Sequence, residues 1–311
     1  MGLEGNISVT RCNISDTFNT SDLPKPCAGG FELTTESSKR GKYYRAMMDY
    51  LEIAERKRDW KLFDDIPWEK IDAGQNLNQK AVCIETYCAE EMFLPDYSSH
   101  GARITRNIFG AAWFQARWSF EESRHGLAFR EYLARSGLRS ESEIESLETM
   151  VFSRKWLPPF PTVRQMSCYG ALQEGATYSA YKAQKDKAEA DGDAVLKAIF
   201  TNVASDEAAH AGFYRKVVEI ELDSDREATV GDFAHVLANF QMPGDGLIPH
   251  YHERLKIGGG GISPRQFMEG VVLTTMRSLG ISRAELKSAN ARNAAVAIID
   301  TAASSSLASA K

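Results

Sequence analysis

The sequence predicts an all-α fold, a four-helix bundle core with additional flanking helices, on three observations. Apolar residues recur by threes and fours over long stretches, no stretch alternates as a strand would, and Gly or Pro falls between the periodic segments. The helical segments cover 39–60, 77–98, 102–136, 141–152, 162–190, 193–222 and 229–240, with a last pair at 264–279 and 283–308. Breakers at Pro67, Gly74, Gly101, Pro158, Pro159, Pro161, Gly192 and Met242-Pro243-Gly244 separate them. The run Gly258 to Gly261 reads as a hinge before the last pair. It is no phosphate loop, because neither Gly-Lys-Ser/Thr nor a preceding strand accompanies it. The chain thus divides into a flexible Ser/Thr/Asn/Gly-rich segment 1–40, a catalytic bundle 41–257, and a C-terminal helical extension 258–311 whose Ala/Ser-rich end frays.

Two of the long segments carry charged residues where core hydrophobes belong. One stripe reads Ile104, Ile108, Ala111, Gln115, Trp118, Glu122, His125, Phe129, Tyr132, and the other Leu196, Ile199, Val203, Glu207, His210, Tyr214, Val217. Each holds a Glu-x-x-His pair at its middle. Facing carboxylates and imidazoles in an apolar interior are too costly without a positive charge between them, which points to a pair of iron or manganese ions. A single Glu-x-x-His is most often a solvated i,i+3 pair, but two copies on two apolar stripes are not explained that way.

A four-helix bundle that holds two metals draws one more Glu from each remaining helix. Glu174 shares a face with Val163, Gly170, Thr177 and Tyr181, and Glu91 follows Ile84, Tyr87 and Cys88 at helical spacing. Pro95 has no N–H to donate to the Glu91 carbonyl, so the backbone should be distorted beside Glu91.

These residues lie in stretches that resemble the soluble acyl-carrier-protein desaturases of the ferritin-like superfamily. Glu121-Glu122-Ser123-Arg124-His125-Gly126 is similar to that family's Glu-Glu-Asn-Arg-His-Gly, and Asp206-Glu207-Ala208-Ala209-His210 to its Asp-Glu-x-x-His. Gln173-Glu174-Gly175-Ala176-Thr177 and Glu91-x-x-Leu94-Pro95-x-Tyr97 match two further segments, and the resemblance extends over about residues 45 to 250. It implies a ferritin-like bundle and a ligand set of Glu91, Glu122, His125, Glu174, Glu207 and His210 for two iron ions. It also implies that Asp206 orients the first imidazole, that Thr177 stands beside the O2 site, and that Trp60 marks an electron entry route. The alternatives are a Thr177 hydroxyl bonded to its own helix turn and a Trp60 that is core packing. One position departs: Met92 stands where the family has a second acidic residue, the acid here being Glu90. The partner of His210 is then Glu121 or Glu90.

A net charge of −5 disfavours nucleic-acid binding, and no stretch of 18 apolar residues is present to span a membrane. Six histidines in these positions cannot form the clusters of membrane-embedded desaturases. The N-terminal 40 residues show neither a signal pattern nor a transit-peptide composition, and five cysteines without Cys-x-x-Cys spacing read as reduced thiols, so the protein is expected in the cytoplasm. Asn-x-Ser matches at Asn6, Asn13 and Asn19 are chance in that setting. Basic clusters at Arg56, Lys57, Arg58 and Lys61, and at Lys182, Lys185 and Lys187, either face acidic partners or are solvated helix faces.

The resemblance implies desaturation of an acyl chain on acyl carrier protein, with O2, electrons from ferredoxin or a similar donor, and a homodimer. No flavin or nicotinamide motif is present to supply those electrons. The alternatives are a di-iron hydroxylase or N-oxygenase of a short or polar metabolite, carrier-bound or free, then an iron-binding bundle without enzymatic activity, and last a purely structural helical protein. Ser98, Ser99, His100, Gly101 and Arg103 follow Pro95 where the family lines an apolar channel, so His100 and Arg103 are expected to form a polar far wall and exclude long alkyl chains.

Overall fold

The structure is a computed structural model, which describes residues 38–73 and 77–293. These residues are helices and connections, without a strand. In chain order they are α1 (Lys39–Ile53), α2 (Asn78–Glu91), α3 (Leu94–Thr105), α4 (Phe109–Arg135), α5 (Glu141–Phe152), α6 (Val163–Ala190), α7 (Ala194–Ser224), α8 (Arg226–Ala238) and α9 (Tyr251–Ile257). A tenth stretch joins Pro264–Gln266 and Leu273–Ser278 through a π turn at Phe267–Val272, and residues 283–293 are helical again. The expected segment 1–40 lies outside the described residues up to residue 37, as do Gly74, the Asn-x-Ser matches, Cys12, Cys27 and the end of the last helix.

The bundle core is α2, α4, α6 and α7, with α6 packed along α7 and α2 along α4. Caps set the starts of these helices: Asp193 accepts from Leu196 N at the start of α7, Thr162 from Gln165 N at the start of α6. Gly192, at φ +72°, makes the left-handed turn between them. The apolar core is cut in two by a polar layer. On α4, Phe114 and Trp118 belong to one half and Phe129 and Tyr132 to the other, with Glu122 and His125 between them. On α7, Val203 and Phe213 flank Glu207 and His210 in the same way.

Three sequence expectations shift. The 77–98 and 102–136 segments break at Met92–Phe93 and before Phe109, so Gly101 is no breaker but lies inside α3. There its missing Cβ leaves room for the Gln115 side chain. The 39–60 segment ends as α-helix at Ile53 and continues as a π turn, Ala54–Arg58. The Gly258–Gly261 run is packed down rather than loose: Gly261 N donates to Tyr87 OH at 3.0 Å and Gln184 Nε2 to the Gly259 carbonyl at 2.7 Å. Val271, Val272 and Met276 of the 258–311 extension belong to the same core half as Leu172 of α6 and Phe213 of α7.

Gly110 lets α4 approach the α1 backbone, since a Cβ there would meet the Tyr43 carbonyl oxygen at 2.4 Å. In urea or thermal unfolding, Gly110→Ala is therefore expected to cost about 1–3 kcal/mol, the usual range for overpacking. Gly212→Ala on α7, where a Cβ meets nothing within 4 Å, should gain up to about 1 kcal/mol from the less flexible unfolded chain.

Candidate metal centre and the cavity beside it

The polar layer follows from the helix period. Glu122 and His125 are one turn apart on α4, Glu207 and His210 one turn apart on α7, and Glu174 on α6 and Glu91 at the end of α2 complete the ring. The break expected beside Glu91 is a helix end: α2 stops at Glu91 and α3 restarts at Leu94, with Pro95 in its first turn. Gly126 leaves room for Glu91, because a Cβ there would lie 3.0 Å from the Cβ of Glu91.

The six side chains form two overlapping donor sets, Glu91/Glu122/His125/Glu207 and Glu122/Glu174/Glu207/His210, each with its donor atoms within 4.8 Å of one another. Glu122 and Glu207 belong to both. The orphaned atoms point the same way: His125 Nδ1, His210 Nδ1, Glu122 Oε1, Glu174 Oε2 and Glu207 Oε2 are buried without a hydrogen-bond partner. His210 Nδ1 and Glu122 Oε1 stand 2.9 Å apart without hydrogen-bond geometry between them. Lone pairs aimed at common points are what a cation site requires, so the residues fit two metal ions.

The other ring nitrogens fix this orientation. His125 Nε2 lies 3.2 Å from Asp206 Oδ2 and His210 Nε2 lies 2.9 Å from Glu121 Oε2, so each Nε2–H donates to a carboxylate and leaves Nδ1 as the donor atom. Glu121, not Glu90, is the partner of His210. Asp206 receives Arg58 Nη1 at 2.6 Å and Trp60 Nε1 at 2.8 Å. Glu121 receives Tyr50 OH and, at 2.8 Å, Arg117 Nε. Arg58 is thus no part of a solvated basic face: its side chain is only 8 % exposed and also stands 3.8 Å from Glu121. Arg56, Lys57 and Lys61 remain exposed.

The titration directions describe a pocket short of positive charge. Burial, then the Glu122 carboxylate, hold Glu91 well above the usual range, and burial, then Glu207, do the same to Glu174. Burial is outweighed at Glu122, which the histidines hold low, at His125, which the Glu122 carboxylate raises, and at His210, raised first by Tyr50. Glu121 is brought down to about 2 against its burial by the hydrogen bond from His210.

Tyr181 OH donates to Glu91 Oε1 and Trp118 Nε1 to Glu174 Oε1, both at 3.0 Å. Tyr50, Arg117, Tyr181 and the indole of Trp118 are partners that the motifs alone did not identify. Trp118 lay on the α4 stripe and Tyr181 on the face of Glu174, whereas Tyr50 and Arg117 carried no such signal. Trp60 is buried, its ring parallel to that of His125 at 6.5 Å, and it borders a surface recess with Arg56 and Lys57. Thr177 makes the expected bond to its own turn, Oγ1 to the Gln173 carbonyl at 3.0 Å, and also lines the cavity beside the donor sets.

That cavity has about 450 Å³ of space free of protein atoms, its mouth included, and is bordered by Glu91, Glu122, Glu207, Thr177, Phe93 and Trp156. His100 and Arg103 are not on its wall, contrary to the sequence expectation. His100 Nε2–H donates to the Phe160 carbonyl at 2.9 Å, and the exposed Arg103 donates to His100 Nδ1. Polar groups of α4 and α7 border a different space. Gln115 Nε2 donates to Tyr214 OH at 3.0 Å where Phe114, Val163 and Val217 line a second, apolar gap. Among the described residues no helix is long and apolar enough to cross a membrane, and Cys83, Cys88 and Cys168 are free and buried.

A protein-family model described as fatty acid desaturase matches residues 43–255. The acyl-carrier-protein desaturase DesA1 of Mycobacterium tuberculosis is 28% identical over 253 residues, 73% of each chain. The chloroplastic acyl-carrier-protein desaturase 6 of Oryza sativa subsp. japonica is 31% identical over 166 residues, 50% of this chain and 40% of its own. The X-ray structure of DesA2 from M. tuberculosis superposes with a TM-score of 0.58 at 18% identity, covering 81% of this chain and 98% of that one, so the two chains share a fold.

Loading the metal-free protein with ferrous or manganous ions should release protons, because the groups held above their usual range must give them up to bind metal. Affinity is accordingly expected to rise with pH, as an indicator dye and metal titrations would show. His125→Ala or His210→Ala should each cost about one ion per chain by elemental analysis, and Glu122→Ala both, since Glu122 serves the two sets.

Proposed function

Because the chain belongs to the fatty acid desaturase family and is an oxidoreductase of that kind, we propose that it removes two hydrogens from a short acyl chain on acyl carrier protein. O2 is the oxidant and a ferredoxin or similar protein the electron donor. The observation that carries this reading is the pair of donor sets sharing Glu122 and Glu207, beside a cavity bordered by three of their carboxylates. Glu91, Glu122, His125, Glu174, Glu207 and His210 would hold two iron ions, with manganese the other metal this donor set accepts. Two ions bound there supply the reduction of O2 to which hydrogen removal is coupled.

The remaining residues hold this arrangement in register. Asp206 and Glu121 keep the imidazoles turned with Nδ1 inward, and Tyr181 and Trp118 each restrain one carboxylate. Thr177 presents a hydroxyl at the cavity wall that can hand a proton to reacting oxygen. Phe93, Leu94, Trp156 and Met242 keep water from the reacting carbon. Each turnover needs two electrons beyond those of the substrate, and Trp60, between a surface recess and Asp206, is their route. Exposed Arg56, Lys57 and Lys61 beside it suit an acidic donor. A homodimer would cover the exposed Phe109, Trp113, Phe120 and Leu127 of α4.

A short chain is favoured on the reading that a longer tail would extend into the second gap, where the Gln115–Tyr214 hydrogen bond stands among apolar side chains. Incubation of the iron-loaded protein with O2, a reducing system and a panel of acyl-carrier thioesters should give products lighter by two hydrogens. Products heavier by one oxygen would replace desaturation by hydroxylation, and no turnover with any member removes the carrier-bound substrate. Within that panel Gln115→Ala with Tyr214→Leu should admit longer chains by about tenfold or more in kcat/KM, the scale of a few methylenes in an apolar pocket. Replacing His100 and Arg103 by Leu should leave the chain-length profile where it was.

A further inference from the structure

The cavity beside the donor sets carries a carboxyl group that neither set uses. Glu90 is on its wall and belongs to neither set. Its Oε1 accepts one hydrogen bond, from Tyr251 OH of α9 at 2.5 Å, and no cationic side chain is paired with it among the described residues.

Charge counting sets Glu90 apart from the other buried acids. With two divalent ions the four carboxylates of the donor sets are matched, and Asp206 and Glu121 are met by Arg58, Arg124 and Arg117. Glu90 alone on the cavity wall is left without a countercharge. A plain alkyl chain entering the cavity would remove water from this carboxyl and return nothing. Aromatic residues make up much of the remaining wall, and three of them cluster there: the ring of Tyr97 lies 4.5 Å from that of Trp118 and 4.8 Å from that of Trp156. A carboxylate among aromatic faces is a setting that favours an organic ammonium, by ion pairing and by the ring quadrupoles.

We propose that Glu90 selects the substrate, and that the chain to be oxidised carries an amine whose ammonium is held between the Glu90 carboxylate and the faces of Tyr97, Trp118 and Trp156. This rests on the proposed function in taking the cavity as the substrate site. It narrows the substrate class from short acyl chains to amine-bearing ones. Glu90 binds, and has no part in the metal centre.

The test is binding without turnover. The metal-loaded protein, kept free of O2, is titrated by calorimetry with butyryl, hexanoyl and octanoyl carrier-protein thioesters against their ω-amino counterparts, and with 1-hexanol against n-hexylammonium. The ammonium member of at least one matched pair should bind about tenfold tighter or better. Glu90→Gln, which keeps an oxygen for Tyr251 OH, should bring that ratio to near one, and Glu90→Leu should invert it, with the metal content of both variants unchanged. Absence of an ammonium preference in every pair overturns the proposal, and so does a ratio that Glu90→Gln leaves intact. Product analysis with O2 and reductant is separate. An amine that binds through Glu90 but is never oxidised sinks the desaturase reading and leaves the assignment of Glu90 standing. An alkyl chain bound and oxidised in preference does the reverse.

Discussion

Four carboxylates and two imidazoles share one layer of an otherwise apolar bundle, and the rest of the structure answers that constraint. At separations of a few ångström in a medium far less polarisable than water, such groups repel by several kcal/mol per pair unless cations or protons intervene. Placing the layer at mid-height gives α4 and α7 apolar turns on both sides, so the helices are held by core packing above and below the charges. Packing thus pins the donors in place, and the bundle does not depend on them for its cohesion. Glycine enters where the layer needs space, as at Gly126 against Glu91 and at Gly170 against the ring of Tyr214.

Around this layer runs a second one of opposite logic, in which every acid is matched. Asp206 and Glu121 take corresponding positions behind His125 and His210, and Arg58 reaches both. It is the last residue of the π turn Ala54–Arg58 that follows α1. The planar, always charged guanidinium suits this task better than an ammonium, since it meets two carboxylates without risk of losing its proton on burial. The two sides differ in their last partner. An indole donates to Asp206 and a phenol to Glu121, and the indole, Trp60, borders a surface recess.

What the sequence made legible was whatever a helix period could carry. Glu122, His125, Glu207 and His210 stood out because a charge at a core position of a long stripe contradicts the pattern around it, and Glu174 followed from the same face logic. Arg58 did not, because a basic residue in a run of basic residues looks solvated until the local backbone is known. His100 and Arg103 were misplaced for a related reason. Projecting a face from Glu91 across Met92–Phe93 assumes one continuous helix, but the break there resets the helical phase, and α3 turns His100 toward Phe160. Tyr251 was out of reach altogether, since it meets Glu90 across 161 residues and from a helix of seven. Long-range partners of this kind leave no periodic trace in either segment.

The cavity and Trp60 neighbour different members of the donor sets, which would separate two requirements of the proposed reaction. Glu91, Glu122 and Glu207 border the cavity while the histidines do not, whereas Trp60 lies against His125 and Asp206. A donor protein docked over the recess beside Trp60 therefore need not displace a carrier protein whose acyl group fills the cavity. Electrons can then arrive while the substrate is in place. That order matters chemically, because O2 reduced at an empty site has no C–H bond to attack and turns on the protein itself. The carboxylate edge is also the more adaptable one. Carboxylates can change how many oxygens they offer as a substrate approaches, while the imidazoles, tied to Asp206 and Glu121, cannot move without breaking the matched layer behind them. Rigidity on the histidine side and freedom on the cavity side are thus two consequences of the same distribution of charge.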